Sequence, residues 1–95
     1  MKKGTFELGG NDPFLVLKDA EIDKAVDCAY KSRMLANAQS CINAKRFFIQ
    51  DEIFDEFTAK LISKIKTETL IGDPLDPKIN LGPLALQKQV TLLKD

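Results

Sequence analysis

The chain has no histidine and no tryptophan, a single tyrosine and only two cysteines. Without histidine, Ser-His-Asp and Cys-His catalysis within the chain are excluded, as is any histidine-ligated metal. Cys28 and Cys41 cannot complete a structural zinc site and their spacing matches no redox pair. No metal is therefore expected, and both cysteines should remain thiols in a reducing compartment. Net charge is absent as well, since 14 Lys and Arg balance 14 Asp and Glu. No basic field exists to draw nucleic acid. No apolar run approaches the ~18 residues of a membrane span. The opening Met1-Lys2-Lys3-Gly4 leads into Glu7 and Asn11-Asp12 rather than an apolar stretch, so no signal peptide is read and a cytoplasmic location is expected.

What is present suits one small soluble domain: 95 residues, 44% hydrophobic and 29% charged. Residues 4–8 read as a short strand ending at the Gly9-Gly10 turn, with Asn11-Asp12-Pro13 as a further breaker. Phe14-Leu15-Val16-Leu17 is a continuous apolar run, the pattern of a strand covered on both faces. Asp19 is placed to cap a helix over 20–35, with Ile22, Val26, Ala29 and Arg33 on one side and Ala25 adjoining. After a loop over 36–41, residues 46–50 read as a second buried strand. Asp51 can cap the next helix, where Phe54, Phe57, Leu61 and Ile65 recur at helical spacing. Residues 72–77 form a turn-rich connection, and Gly82-Pro83 precedes a last helical stretch over 84–93. Alternation of this kind predicts α/β layering around a mostly parallel sheet with flanking helices. Three strands would leave both sheet edges open, as in part of a domain.

Two segments can carry covalent chemistry. Cys41 supplies a nucleophilic thiol, and Glu7, set between Phe6 and Leu8 ahead of two glycines, supplies a carboxylate. An apolar setting around Glu7 would make it a usable base near neutral pH. Asn37 and Gln39 are the side chains suited to tie the cysteine loop down through bonds to backbone. Cys28, in mid-helix, reads as a small buried hydrophobe. Asp73 and Asp76 read as turn formers rather than metal ligands. Arg33 and Arg46 are the two cations that could hold a substrate carboxylate, although each is more often a paired surface charge.

These motifs resemble the aldehyde dehydrogenase superfamily over almost the whole chain. Glu7-Leu8-Gly9-Gly10-x-x-Pro13 matches its glutamate motif, and Asp19-Ala20-x-x-Asp23 the helix that follows. Gln39-x-Cys41 with Arg46 matches its cysteine motif, and Gly72-Asp73-Pro74 with Gly82-Pro83 a later loop signature. Asp12-Pro13-Phe14 and Cys41-x-x-Ala44-Lys45-Arg46-Phe47 are similar to the succinate-semialdehyde dehydrogenase branch. The resemblance implies that Cys41 attacks the aldehyde, hydride passes to NAD or NADP, and Glu7 activates the water that hydrolyses the thioester. It implies contact with the cofactor at Leu8 and Gly9. One departure stands out. The family pattern N-x-G-Q reads here with Ala38 in the glycine position, so a left-handed backbone there would strain the nucleophile's presentation.

Family members are several times longer. The resemblance therefore implies that residues 1–95 are the N-terminal portion of the catalytic thiol domain, with the nucleotide-binding domain absent. The expected function is a segment of an NAD(P)-dependent dehydrogenase oxidising an aldehyde, succinic semialdehyde by resemblance, and inactive as an isolated chain. A non-enzymatic remnant or assembly module is the alternative, as is a thiol carrier acting through Cys41 without a cofactor. The expected partners are a small aldehyde and either further copies of the chain or a complementary one, with no nucleic acid and no membrane.

Overall fold

In the computed structural model, which describes residues 1–94, the elements run β1 (Asp12–Val16), α1 (Ile22–Met34), β2 (Ala44–Ile49), α2 (Asp51–Glu68) and α3 (Gln87–Leu92). β1 and β2 lie side by side in parallel, with α1 as the crossover between them. The architecture is α/β, as the alternation predicts. Phe14 stands opposite Phe47, Leu15 opposite Phe48 and Val16 opposite Ile49, and the register shifts between Asp12 and Pro13. From Pro13, which stands opposite Arg46, the pairing is regular.

Period-two geometry then divides the sheet into two unequal faces. Phe14, Val16, Phe47 and Ile49 point toward the helices, and the Phe14 and Phe47 rings sit 5.5 Å apart, tilted by 40°. Val16, Val26, Ala29, Ile53 and Phe57 form the buried core, with Ile22, Ala25 and Leu61 packed around them. Both long helices contribute to this one cluster, so the opposite face stays bare. Leu15 is 65% and Phe48 51% exposed, and Leu17 continues the apolar strip. The run over 14–17 is thus covered on one face, not two. Two helices packed on the same side leave nothing among the described residues for the other.

Several local expectations are corrected. Residues 1–11 form no strand and are exposed throughout; no neighbouring strand is there to accept the backbone bonds of residues 4–8. Helix α1 begins later than expected, and Glu21, not Asp19, is its N-cap, without a side-chain cap bond. Asp51 lies inside the first turn of α2 rather than before it, and Gln50 takes the cap position. The buried stripe of α2 runs through Ile53 and Phe57, and Phe54 faces solvent. Cys28 is exposed on α1 rather than buried. The last helix is shorter than 84–93 and buries nothing.

Ion pairs stitch the outer rims of the two helices. Asp27 binds Lys31 on its own helix at 2.6 Å and Lys64 on α2 at 3.2 Å, while Lys60 reaches Asp23 at 2.6 Å. The hydrogen bonds from Lys31 and then Lys64 hold the Asp27 carboxyl below its ordinary 3.8.

Candidate active site

Cys41 lies in the connection that leaves α1 and enters β2. That connection opens with three non-glycine residues in the left-handed region: Ala36 at φ 51°, Asn37 at φ 57° and Ala38 at φ 61°. Each L-residue held there costs about 1–2 kcal/mol. The strain anticipated at Ala38 is therefore present, and it extends to its two predecessors.

Directional bonds hold this turn from both sides. On the side of the core, Arg33 Nη1 donates to the Ala38 carbonyl at 3.1 Å. The fully buried Asn43 donates through Nδ2 to the carbonyls of Arg33 and Leu35 at 3.1 and 3.0 Å. These are carbonyls at the end of α1, which a helix cannot satisfy by itself. Asn43 Oδ1 is left without a partner among the described residues. On the outer side, a bridge between Ile71 and Leu81 brings the chain back to the loop. There Asn37 Oδ1 accepts from the Gly82 N–H at 3.0 Å. Gln39 donates to the Pro83 carbonyl at 3.3 Å and accepts from the Ala85 N–H at 3.0 Å. The role read for Asn37 and Gln39, tying the cysteine loop to backbone, is what the structure shows.

The cysteine itself is half-buried. The Lys45 ammonium donates to the carbonyls of Cys41, Ser40 and Asn43 at 2.9, 3.2 and 3.2 Å, gathering the turn around one cation. Gly10 closes on the same carbonyl from the opposite segment: a methyl group built on it would overlap the Cys41 oxygen. Only glycine permits that approach. Arg46 fixes the adjoining residue, with Nε and Nη2 both donating to the Asn11 carbonyl at 3.1 and 3.0 Å. The glutamate segment and the cysteine loop are thus in van der Waals contact at Gly10.

Other expectations fare differently. Glu7 is exposed between Phe6 and Leu8, themselves largely exposed, so this chain forms no apolar surround for it. Leu8 is 76% exposed and a methyl built on Gly9 would meet nothing. These two residues could serve as one wall for a flat ring but enclose no nucleotide. Both arginines donate to backbone within the chain. Arg33 braces Ala38, and Arg46 braces Asn11 while its guanidinium lies 5.5 Å from the centre of the Phe48 ring. Arg33 does line a cavity of about 330 Å³ with Asn37, Gln39, Leu84 and Leu92. Asp73 and Asp76 are spent on turns, accepting from the N–H groups of Leu75 and Lys78, each at 2.9 Å. Asn43 goes unmarked in the sequence, and Lys45 enters it only as a letter of the motif after Cys41. A single buried amide and a lysine four residues past a cysteine leave no periodic signal.

Known proteins resemble this chain in sequence and in fold. The chain is 45% identical over 87 residues to the NADP-dependent succinate-semialdehyde dehydrogenase of Mycobacterium leprae, covering 92% of this chain and 19% of that protein. The corresponding enzyme of Mycobacterium ulcerans is 44% identical over 88 residues. Among solved structures, an aldehyde dehydrogenase from Brucella melitensis biovar abortus superposes with a TM-score of 0.87 at 40% identity, over 93% of this chain and 18% of that one. Succinate-semialdehyde dehydrogenase from Burkholderia pseudomallei gives 0.86 at 37%, over 92% and 18%. The chain thus spans about a fifth of the length of the relatives it matches. A model of the aldehyde dehydrogenase family matches residues 1–95 from end to end, and with the glutamate segment and cysteine loop packed together as described, the chain belongs to that family.

Proposed function

We propose that this chain is the first part of the thiol-bearing catalytic domain of an NADP- or NAD-dependent semialdehyde dehydrogenase. The nucleotide-binding domain would come from polypeptide outside residues 1–95. The observation that carries the proposal is the contact of Gly10 with the Cys41 carbonyl, which joins the segment bearing a carboxylate to the loop bearing a thiol.

The chemistry follows from those two groups. The Cys41 thiolate adds to the aldehyde carbon, an S–C bond forms, and the carbonyl pair moves to oxygen. A nicotinamide nucleotide, when bound, supplies the acceptor for the hydride that this carbon loses. Glu7 then takes a proton from water as the water oxygen attacks the resulting thioester carbonyl. The C–S bond breaks, the acid leaves and Cys41 is a thiolate again. Leu8 and Gly9 would form one wall of the cofactor site, with open space above Gly9 for a ring to lie against. Succinic semialdehyde is the substrate that the relatives' names support.

The isolated chain lacks an enclosure for the cofactor and should be inactive alone. Its bare sheet face, Leu15, Leu17 and Phe48, also supports a second reading as an assembly module, in which further copies or a complementary chain cover that strip. Both readings meet in one experiment. The purified chain is mixed with succinic semialdehyde and NADP, alone and with a polypeptide supplying a nucleotide-binding domain from a relative. NADPH that appears only in the mixture, and vanishes with Cys41→Ser, is the expected result. NADPH from the mixture that survives Cys41→Ser would overturn the assignment of the nucleophile. Association without turnover would favour the module.

A further inference from the structure

We infer that Gln39 is a positioning residue whose task, shared with Asn37, is to hold the turn over 36–38 in its left-handed form and so fix how Cys41 is presented. The inference rests on the reading of Cys41 as nucleophile and adds a mechanism for its placement.

Three facts meet at this turn. Ala36, Asn37 and Ala38 all have positive φ, and two of them are alanines, which gain nothing locally from that conformation. A turn of this kind persists only where its surroundings over-determine it. Arg33 and Asn43 hold it from the core side, and the outer hold is the segment over 82–85, reached from Asn37 and Gln39 by three hydrogen bonds across more than forty residues of sequence. Gln39 is bound through both ends of its amide, so its carbonyl and its NH₂ are each committed to that strap. It is separated from Cys41 by Ser40 alone. With the strap released, residues 36–38 can return to φ < 0, and the displacement passes straight to the thiol. Glycine at 38 would occupy positive φ at little cost, so the strap matters because alanine stands there.

The coupling makes a rescue experiment decisive. Iodoacetamide labelling of Cys41 and Cys28 is followed by peptide mass spectrometry in the full chain, in Gln39→Ala, in Ala38→Gly and in the double variant. Two lost hydrogen bonds should raise the Cys41 rate by about tenfold in Gln39→Ala. The double variant should fall back clearly toward the parent rate, because glycine removes the cost of positive φ at 38 while Ala36 and Asn37 keep theirs. Cys28, exposed on α1, serves as the internal control and should not change. An unchanged Cys41 rate in Gln39→Ala overturns the inference, as does failure of Ala38→Gly to restore it. A rise shared equally by Cys28 also overturns it, since the whole fold would then have loosened. Asn37→Ala, which cuts the single bond to Gly82 and also places alanine at a positive φ that asparagine tolerates better, should give an increase of at least about threefold and offers the same test if Gln39→Ala fails to fold. The nucleophile reading fails separately: parent Cys41 reacting no faster than Cys28 near neutral pH would sink it and leave the ratios between variants intact.

Discussion

Helices α1 and α2 and the Cys41 loop occupy adjacent stretches of one short chain, yet they are held by different forces. The helices meet through Val26, Ala29, Ile53 and Phe57, apolar groups that gain from leaving water whatever their precise angle. Within residues 35–43 the only buried side chain is Asn43. The loop is fixed instead by bonds from Arg33, Asn37, Gln39, Asn43 and Lys45, each of which works only at one distance and direction. Apolar burial decides whether the chain folds. Directional bonds decide where one thiol points. Because Arg33 and Ser32, whose hydroxyl accepts from the Ala44 N–H at 3.3 Å, belong to α1, the loop depends on the helix while the helix scarcely depends on the loop.

That asymmetry can be broken at the core first. Phe57 is 1% exposed, and Phe57→Ala should cost about 3–5 kcal/mol, read as a large fall in the urea midpoint together with loss of the ordered loop. A midpoint close to that of the parent would mean that the cluster around Phe57 is not what holds the helices. The loop gives the second, smaller effect. Asn43→Ala removes two bonds to the end of α1 but also an oxygen that has no partner, so the net loss should be about 1 kcal/mol by the same urea titration. A loss equal to that of Phe57→Ala would erase the distinction between core and loop.

The smallest effect belongs to the helix rim. With its carboxyl held below 3.8 by Lys31 and Lys64, Asp27 binds its proton more readily unfolded than folded. Its contribution is therefore complete above about pH 4 and is lost as pH falls through the depressed folded value. Asp27→Asn should lower the melting temperature slightly at pH 7, and the difference from the parent should shrink progressively as pH falls below 3.8. A difference that persists unchanged at low pH would exclude the ion pairs as its source.

Much of this was legible in the sequence where periodicity speaks. The helical spacing of Ile22, Val26 and Ala29 marks the buried side of α1, and alternation of strand and helix gives the parallel pair. Phe54 misled because an aromatic at helical spacing from Phe57 reads as core, although Ile53 already fills that direction. Residues 4–8 have strand composition, but a strand exists only beside another, and composition cannot supply the neighbour. The Glu7 and Cys41 motifs were visible as letters, and the amides of Asn37 and Gln39 as potential ties. The left-handed run through Ala36 is tied by bonds to residues 82–85, which no local pattern encodes, and the carbonyl cluster around Lys45 is local, within five residues, but follows no periodicity.

Everything that fixes residue 41 grips its main chain. Lys45 takes its carbonyl, Gly10 abuts the same oxygen, and the neighbouring turns are tied through other residues. The thiol is thus a replaceable tip on a mount that does not depend on it. A serine or selenocysteine placed there would inherit the same seat, so the group at the tip can be exchanged while its direction is kept.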